Sequence, residues 1–195
     1  MRVGSTAVAA LAAWLACGSL GASELFFAHG AVARALYDGL MVSEGRWFIQ
    51  GQSPEDCSHV FLQDPRVDAV ESRLRITFLL SGRAAAAVGA RCVGAGDSFD
   101  ISVTGVPTFA EGELLLADPR VDAHGRRLFQ TVAPLVEGAL RDRLRYPLRN
   151  AVDWAVHDLR ERTGRHVVLD DLDLSRIVVE EQGVRIGLDF GIQVN

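Results

Sequence analysis

The chain has 195 residues, of which 49% are hydrophobic and 23% charged, with a formal net charge of −5. The length fits one domain of ordinary size once an export signal is set aside, and the acidic balance offers no global attraction to nucleic acid. All 20 basic residues are arginine, a uniform choice that reads as composition bias rather than as a phosphate-binding device.

Met1-Arg2 is followed by a mostly small, apolar stretch over residues 7–20, and then by Gly21, Ala22 and Ser23 before the first acid, Glu24. A charged start, a short apolar middle and small residues at the end form a secretory signal. A membrane-spanning helix needs about 20 strongly apolar residues, and this stretch is shorter and diluted with alanine and glycine. The reading is a signal over 1–23 and a single domain over 24–195, placed in the periplasm or outside the cell. Cys17 lies within the signal, and Trp14-Leu15-Ala16-Cys17 partly resembles a lipoprotein box, with tryptophan where an aliphatic residue belongs. Lipid on Cys17 would anchor the protein to a membrane. Cys57 and Cys92 are left as a pair; in an oxidising compartment they form a disulfide candidate, and two buried free thiols are the other reading.

Residues 25–41 carry Phe26, Phe27, Val32, Leu36, Leu40 and Met41 close to helical spacing, which predicts an opening amphipathic helix. Residues 46–50 read as a short strand, and a loop with Pro54 and Cys57 follows. A strand-rich block then runs over about 58–121. Within it Asp-Pro-Arg-Val-Asp-Ala occurs twice, at 64–69 and 118–123, each time directly after an apolar run. Proline and aspartate interrupt strands and turn chains, so both copies read as strand ends or hairpin corners. The runs 73–78 and 99–104 alternate polar and apolar residues, as in an antiparallel sheet buried on one side. Residues 84–96, rich in alanine and glycine, read as a strand end and a flexible loop.

A helical stretch follows, with Leu128, Val132, Leu135, Val136, Ala139, Leu140 and Leu144 at three- and four-residue intervals and Glu137, Arg141 and Asp142 opposite. Pro134 starts or kinks it, and Tyr146-Pro147 breaks it. Asn150 caps a second helix that ends at Gly164. Arg141, Arg143, Arg145 and Arg149 cluster here, as a solvated face or as a contact for anionic headgroups at a membrane surface. Val184, Ile186, Leu188, Phe190 and Ile192 alternate with polar or small residues as a closing strand, with residues 176–179 as its hairpin partner. Helix, strands, helix, strands in that order make the fold α+β.

No catalytic constellation emerges. There is no Gly-x-Ser-x-Gly elbow, and Gly96-Asp97-Ser98 only faintly matches an esterase block, since the nearest partner pattern, Asp153 and His157, has the wrong spacing. The five histidines are scattered without zinc spacing. Asp170, Asp171 and Asp173 lack the glycine and terminal glutamate of a calcium loop, and Glu180 and Glu181 sit at a hairpin tip, where no pocket raises a pKa. The expectation is no enzyme, no metal and no cofactor.

Residues 99–121, with Pro107, Phe109, Gly112, Leu114, Leu116 and Asp118, then a helix with Leu135, Leu140 and Leu144 and a terminal strand, resemble small bacterial envelope proteins of the YceB type. That family is similar to the tubular lipid-binding, TULIP-like superfamily, and the resemblance spans about residues 25–192. It implies a bent antiparallel β-sheet wrapped around a long C-terminal helix, in the order helix–strands–helix–strand, with an apolar groove between them for acyl chains. No catalytic residue belongs to the pattern. The groove would be lined by Leu74, Ile76, Phe78 and Leu80 on one wall, Phe99, Ile101 and Val103 on another, and Val132, Leu135, Val136 and Leu140 from the helix. The function that follows is non-catalytic binding or transport of lipids or other hydrophobic ligands. The alternative is a structural or interaction module of the cell envelope, with a filled core, docking a protein partner or a second copy as a homodimer.

Overall fold

The computed structural model describes residues 23–123, 127–164 and 167–194. The signal-like segment, with Cys17, lies outside the described residues. The elements are β1 (Ser23–Ala28), α1 (His29–Leu40), β2 (Trp47–Gln50), β3 (His59–Val70), β4 (Arg73–Val88), β5 (Arg91–Ala110), β6 (Glu113–Asp122), α2 (Arg127–Arg143), β7 (Arg145–Tyr146), α3 (Leu148–Thr163), β8 (Val167–Glu180) and β9 (Gly183–Val194). Strands β2 to β7 form one antiparallel sheet in chain order, and β1-β9-β8 form a second.

The chain is therefore mostly β, and the expected α+β fold with a sheet wrapped around a long C-terminal helix does not hold. The helices after β6 are 17 and 16 residues long, about 25 Å each at 1.5 Å per residue. Tyr146-Pro147 keeps them apart, because proline has no N–H to continue a helix. What closes the chain is a long hairpin, β8–β9, paired from Val167↔Val194 to Glu180↔Gly183. The opening segment also differs. Residues 25–28 are strand, with Leu25 opposite Ile186 and Phe27 opposite Val184, so their alternate side chains face inward while Phe26 stays outside. The helix starts only at His29, whose N–H donates to Gln182 O at 3.1 Å. The second predicted helix begins at Leu148 rather than at an Asn150 cap. It ends as expected, with Gly164 in the left-handed region at φ 66° and its N–H on Arg160 O.

The Asp-Pro of each repeated segment lies inside a strand and not at a corner, although β6 does finish at Asp122 within the second copy. In β3, Gln63 pairs with Leu79 and Arg66 with Thr77, so Asp64 and Pro65 together face Phe78. In β6, Ala117 pairs with Val106 and Arg120 with Thr104, so Asp118 and Pro119 together face Gly105. Two residues opposite one make a β-bulge. Asp64 and Asp118 take φ 52° and 46°, a conformation that aspartate tolerates better than most residues, and each proline stands where no ladder N–H is needed. A bulge bends its strand and increases the local twist. Two of them, flanking the central pair β4–β5, curl the sheet. Gly105 lets the second one close, since a Cβ there would lie 2.4 Å from Leu116 Cγ.

Residues 84–96 are not a loop either. The β4–β5 pairing runs on through Ala84↔Ala95 and Ala86↔Val93 to Val88↔Arg91 and turns over Gly89-Ala90. The concave face of the curled sheet holds the core. Leu62, Leu74, Ile76, Phe78, Leu80, Ile101 and Val103 are buried together with Val136 and Leu140 of α2 and with Val184, Ile186 and Leu188 of β9. No polar or charged side chain is buried with them among the described residues.

The outer faces carry arginine–carboxylate pairs across neighbouring strands. Arg75 Nε and Nη2 donate to Asp68 at 2.8 and 2.5 Å, and Arg185 donates to Glu180 at 2.6 and 3.1 Å. Each guanidinium holds its partner's carboxyl below the ordinary value. A carboxyl whose pKa is lower in the folded chain stabilises the fold above its unfolded pKa, and that contribution disappears as pH falls through the folded value. The urea midpoint is expected to stay level from pH 8 to about 5 and to fall below about pH 4, near the ordinary carboxylate pKa. The Asp68→Asn, Glu180→Gln double variant should show a shallower acid limb, read from urea titrations at each pH.

Candidate functional site

Leu74, Ile76, Phe78 and Leu80 and their supposed opposite wall, Phe99, Ile101 and Val103, sit on adjacent strands. Ile76 pairs with Val103, Phe78 with Ile101 and Leu80 with Phe99. They line one face side by side instead of facing each other across a groove. All seven are buried, and Val136 and Leu140 of α2 cap them. Trp47 closes the space from the β2 side, its ring edge-on to Phe78 at 6.5 Å. Leu135 points away and is 51% exposed. The Val132 side chain lies outside the described residues. The predicted lining is thus brought together, except for Leu135, as packed interior.

Concavity is found at the surface instead. A cleft of about 170 Å³ lies between β6 and the end of α2, floored by Leu115, Leu116 and Pro119 and walled by Leu140 and Leu144, with Arg141 and Arg145 at its rim. Pairing of Leu115 with Arg145 in β7 fixes one side, and the Leu144 N–H on Leu140 O continues the helical turn on the other. Arg145 reaches Glu113 at 3.4 Å. A shallower depression of about 380 Å³ surrounds Phe26, Gln182 and Arg185, where Arg185 lies over the Phe26 ring and is engaged by Glu180.

The arginine cluster divides. Arg141 and Arg145 rim the cleft, Arg149 lies against the β5–β6 turn with its N–H on Gly112 O at 3.0 Å, and Arg143 is exposed. In the sequence the four look alike, because the partner that separates Arg145 from Arg141, Glu113, is 32 residues away.

The other distinctive feature is the arm made by residues 84–96. Beyond Arg83 the β4 strand has no β3 neighbour, and β5 meets β6 only from Ser102 onward. Among the described residues both outer edges of this ribbon lack a strand partner. Near its tip, where Cys92 pairs with Ala87 one step below the turn, Cys92 is bonded to Cys57 as a disulfide, Cα to Cα 5.4 Å. The loop that carries Cys57 is itself ordered. Asp56 accepts from the Gln52 and Ser53 N–H groups at 2.7 and 3.1 Å, which hold its carboxyl below the ordinary value. Ser58 Oγ donates to Arg83 O, and Arg83 Nη2 to Cys92 O. The loop thus holds the arm at its root through Ser58 and near its tip through Cys57.

No protein-family model and no curated protein matches the chain. Of the residues that carry the YceB-type resemblance, those of 99–121 lie on one hairpin, with Pro107 opposite Leu116, Phe109 opposite Leu114, Gly112 in the turn and Asp118 in the bulge, while Leu135 and Leu140 lie on α2 and Leu144 just after it. Ser98 is in mid-strand with its hydroxyl 2.7 Å from that of Ser81. Among the described residues no group of three or more histidine, cysteine or acidic side chains could hold a metal ion, and no helix is long and apolar enough to cross a membrane.

Proposed function

We propose that the protein is a non-catalytic interaction module of the cell envelope. Its apolar interior is structural, and it takes up a strand of a protein partner along the β4–β5 arm. The observation that carries this reading is the arm itself. Residues 84–88 contain no charge and no proline and run along an open edge, with Val88 and Val93 each 62% exposed. Soluble proteins guard open edges with lysine, proline or bulges against unwanted pairing. An unguarded edge of five residues, about 17 Å long at 3.3 Å per residue, suits strand addition, in which main-chain hydrogen bonds supply the affinity. The Cys57–Cys92 disulfide supports an oxidising compartment, in keeping with export directed by residues 1–23.

Photo-crosslinking from Val88 in the native host is expected to give one discrete adduct, with the exposed Val178 on β8 as the silent control position. Gly94→Val should abolish it, because a Cβ at Gly94 would lie 2.2 Å from Ala84 O and 2.4 Å from Ala85 Cα, so the arm could not close. An adduct of twice the chain mass would identify a second copy as the partner. Absence of any adduct from a folded, disulfide-bonded protein would overturn the reading.

A second reading is non-catalytic binding of a lipid or other hydrophobic ligand. The observation in its favour is the apolar surface cleft beneath α2, whereas the closed sheet face gives it no volume.

A further inference from the structure

We propose that the cleft between β6 and the end of α2 binds a medium-chain alkyl carboxylate, with its hydrocarbon tail against the leucines and its carboxylate on Arg141. The proposal rests on the ligand-binding reading and gives it a site and a chemical class.

The floor and walls are apolar, supplied by Leu115, Leu116, Leu140, Leu144 and Pro119. Pro119 has no N–H, so the bulge brings to the floor a residue without a backbone donor needing satisfaction. The volume sets the size of the guest. A cavity of about 150 Å³ lined by aliphatic and aromatic side chains holds one benzene, so about 170 Å³ accommodates about six carbons and not a whole phospholipid acyl chain.

Charge sets the headgroup. Two guanidiniums and no carboxylate are among the lining residues, and Glu113, outside the lining, engages Arg145 at 3.4 Å. Arg141 has no hydrogen bond or ion pair among the described residues. An arginine at the rim of a leucine-lined cleft offers a fork of donors to a carboxylate, while the tail leaves water. A neutral alcohol of the same length would gain the tail term alone.

The chain-length series separates these contributions. Calorimetric titration of the mature protein with hexanoate, octanoate and decanoate should show affinity rising about fourfold per methylene until about six to eight carbons are placed, then levelling off. Octanol should bind about fivefold more weakly than octanoate, the size of a half-exposed ion pair. Arg141→Gln should bring octanoate down to the octanol level and leave octanol unchanged. Leucine methyl NMR shifts should fall on Leu115, Leu116 and Leu144, and Leu115→Trp, which fills the cleft, should remove them.

Equal affinity for octanoate and octanol, with shifts still at the cleft, would overturn the carboxylate assignment while sparing hydrophobic-ligand binding. Absence of cleft shifts at millimolar octanoate would overturn both. Neither result bears on crosslinking from the arm.

Discussion

Truncation of Phe78 to alanine is expected to lower stability by about 3–5 kcal/mol, the range for removing a large aromatic from a packed core. In a domain of this size that corresponds to a fall in Tm of about 10 °C or more. Phe78 is the largest fully buried side chain among the described residues. It lies on the central strand pair, opposite the Asp64-Pro65 bulge on one side and Ile101 on the other, with Trp47 edge-on. Backbone pairing on both sides holds the neighbours in place, so the hole cannot collapse, and the cost includes the cavity as well as the lost transfer energy.

The measurement is guanidinium unfolding with an unchanged m value, and Leu135→Ala serves as the exposed reference, expected to cost under about 1 kcal/mol. The experiment also decides between a filled interior and an internal groove. A side chain facing an open groove would be truncated at small cost, so a loss for Phe78→Ala as small as that for Leu135→Ala would mean that the sheet face is not packed.

How the sequence reveals this fold depends on whether a signal is local. The alternation at 74–80, 99–103 and 184–188 marks strands because one face of each is buried, and period two is imprinted wherever that is so. Gly164 marks a helix end because only its own backbone conformation is at stake. The failures share a cause. Residues 84–88 are nearly all alanine, which carries no contrast between faces, so a strand there has no visible period. Residues 25–28 look like the first turn of a helix because their partner, β9, is over 150 residues away. Asp-Pro reads as a corner from local rules. Only the register of the opposite strand, two residues facing Phe78 or Gly105, turns it into a bulge.

For the site the limit is different. Seven residues on β4 and β5 were legible as one-sided apolar surface, and the structure places all seven inside. Periodicity says that a face leaves water, but it cannot say whether a ligand or the chain's own α2 and β9 covers it. The cleft rim was invisible for the opposite reason, since Arg141 and Arg145 differ only in a contact across the fold.

Loss of the Cys57–Cys92 bond is expected to cost about 3–4 kcal/mol. Closing a loop of 35 residues removes conformational entropy from the unfolded chain, and the loop-entropy relation gives this magnitude. The effect should have two parts with different readouts. Global stability falls because the unfolded chain regains its freedom, visible as a lower guanidinium midpoint for the Cys57→Ser, Cys92→Ser variant.

Local order falls because the loop at 51–58 no longer pins Cys92 near the tip of the arm, leaving Ser58 Oγ on Arg83 O at the root and Arg83 Nη2 on Cys92 O as weaker ties. Beyond Arg83 the ribbon consists of two strands with open edges and small side chains, and an isolated two-stranded hairpin is marginal in water. Amide exchange over residues 84–96 should therefore quicken far more than exchange over 74–80, where the same two strands are flanked by β3 and the core. If the variant kept both its midpoint and its arm protection, the pairing of β4 with β5 would hold the arm by itself, and the disulfide would not be what prepares that edge for a partner.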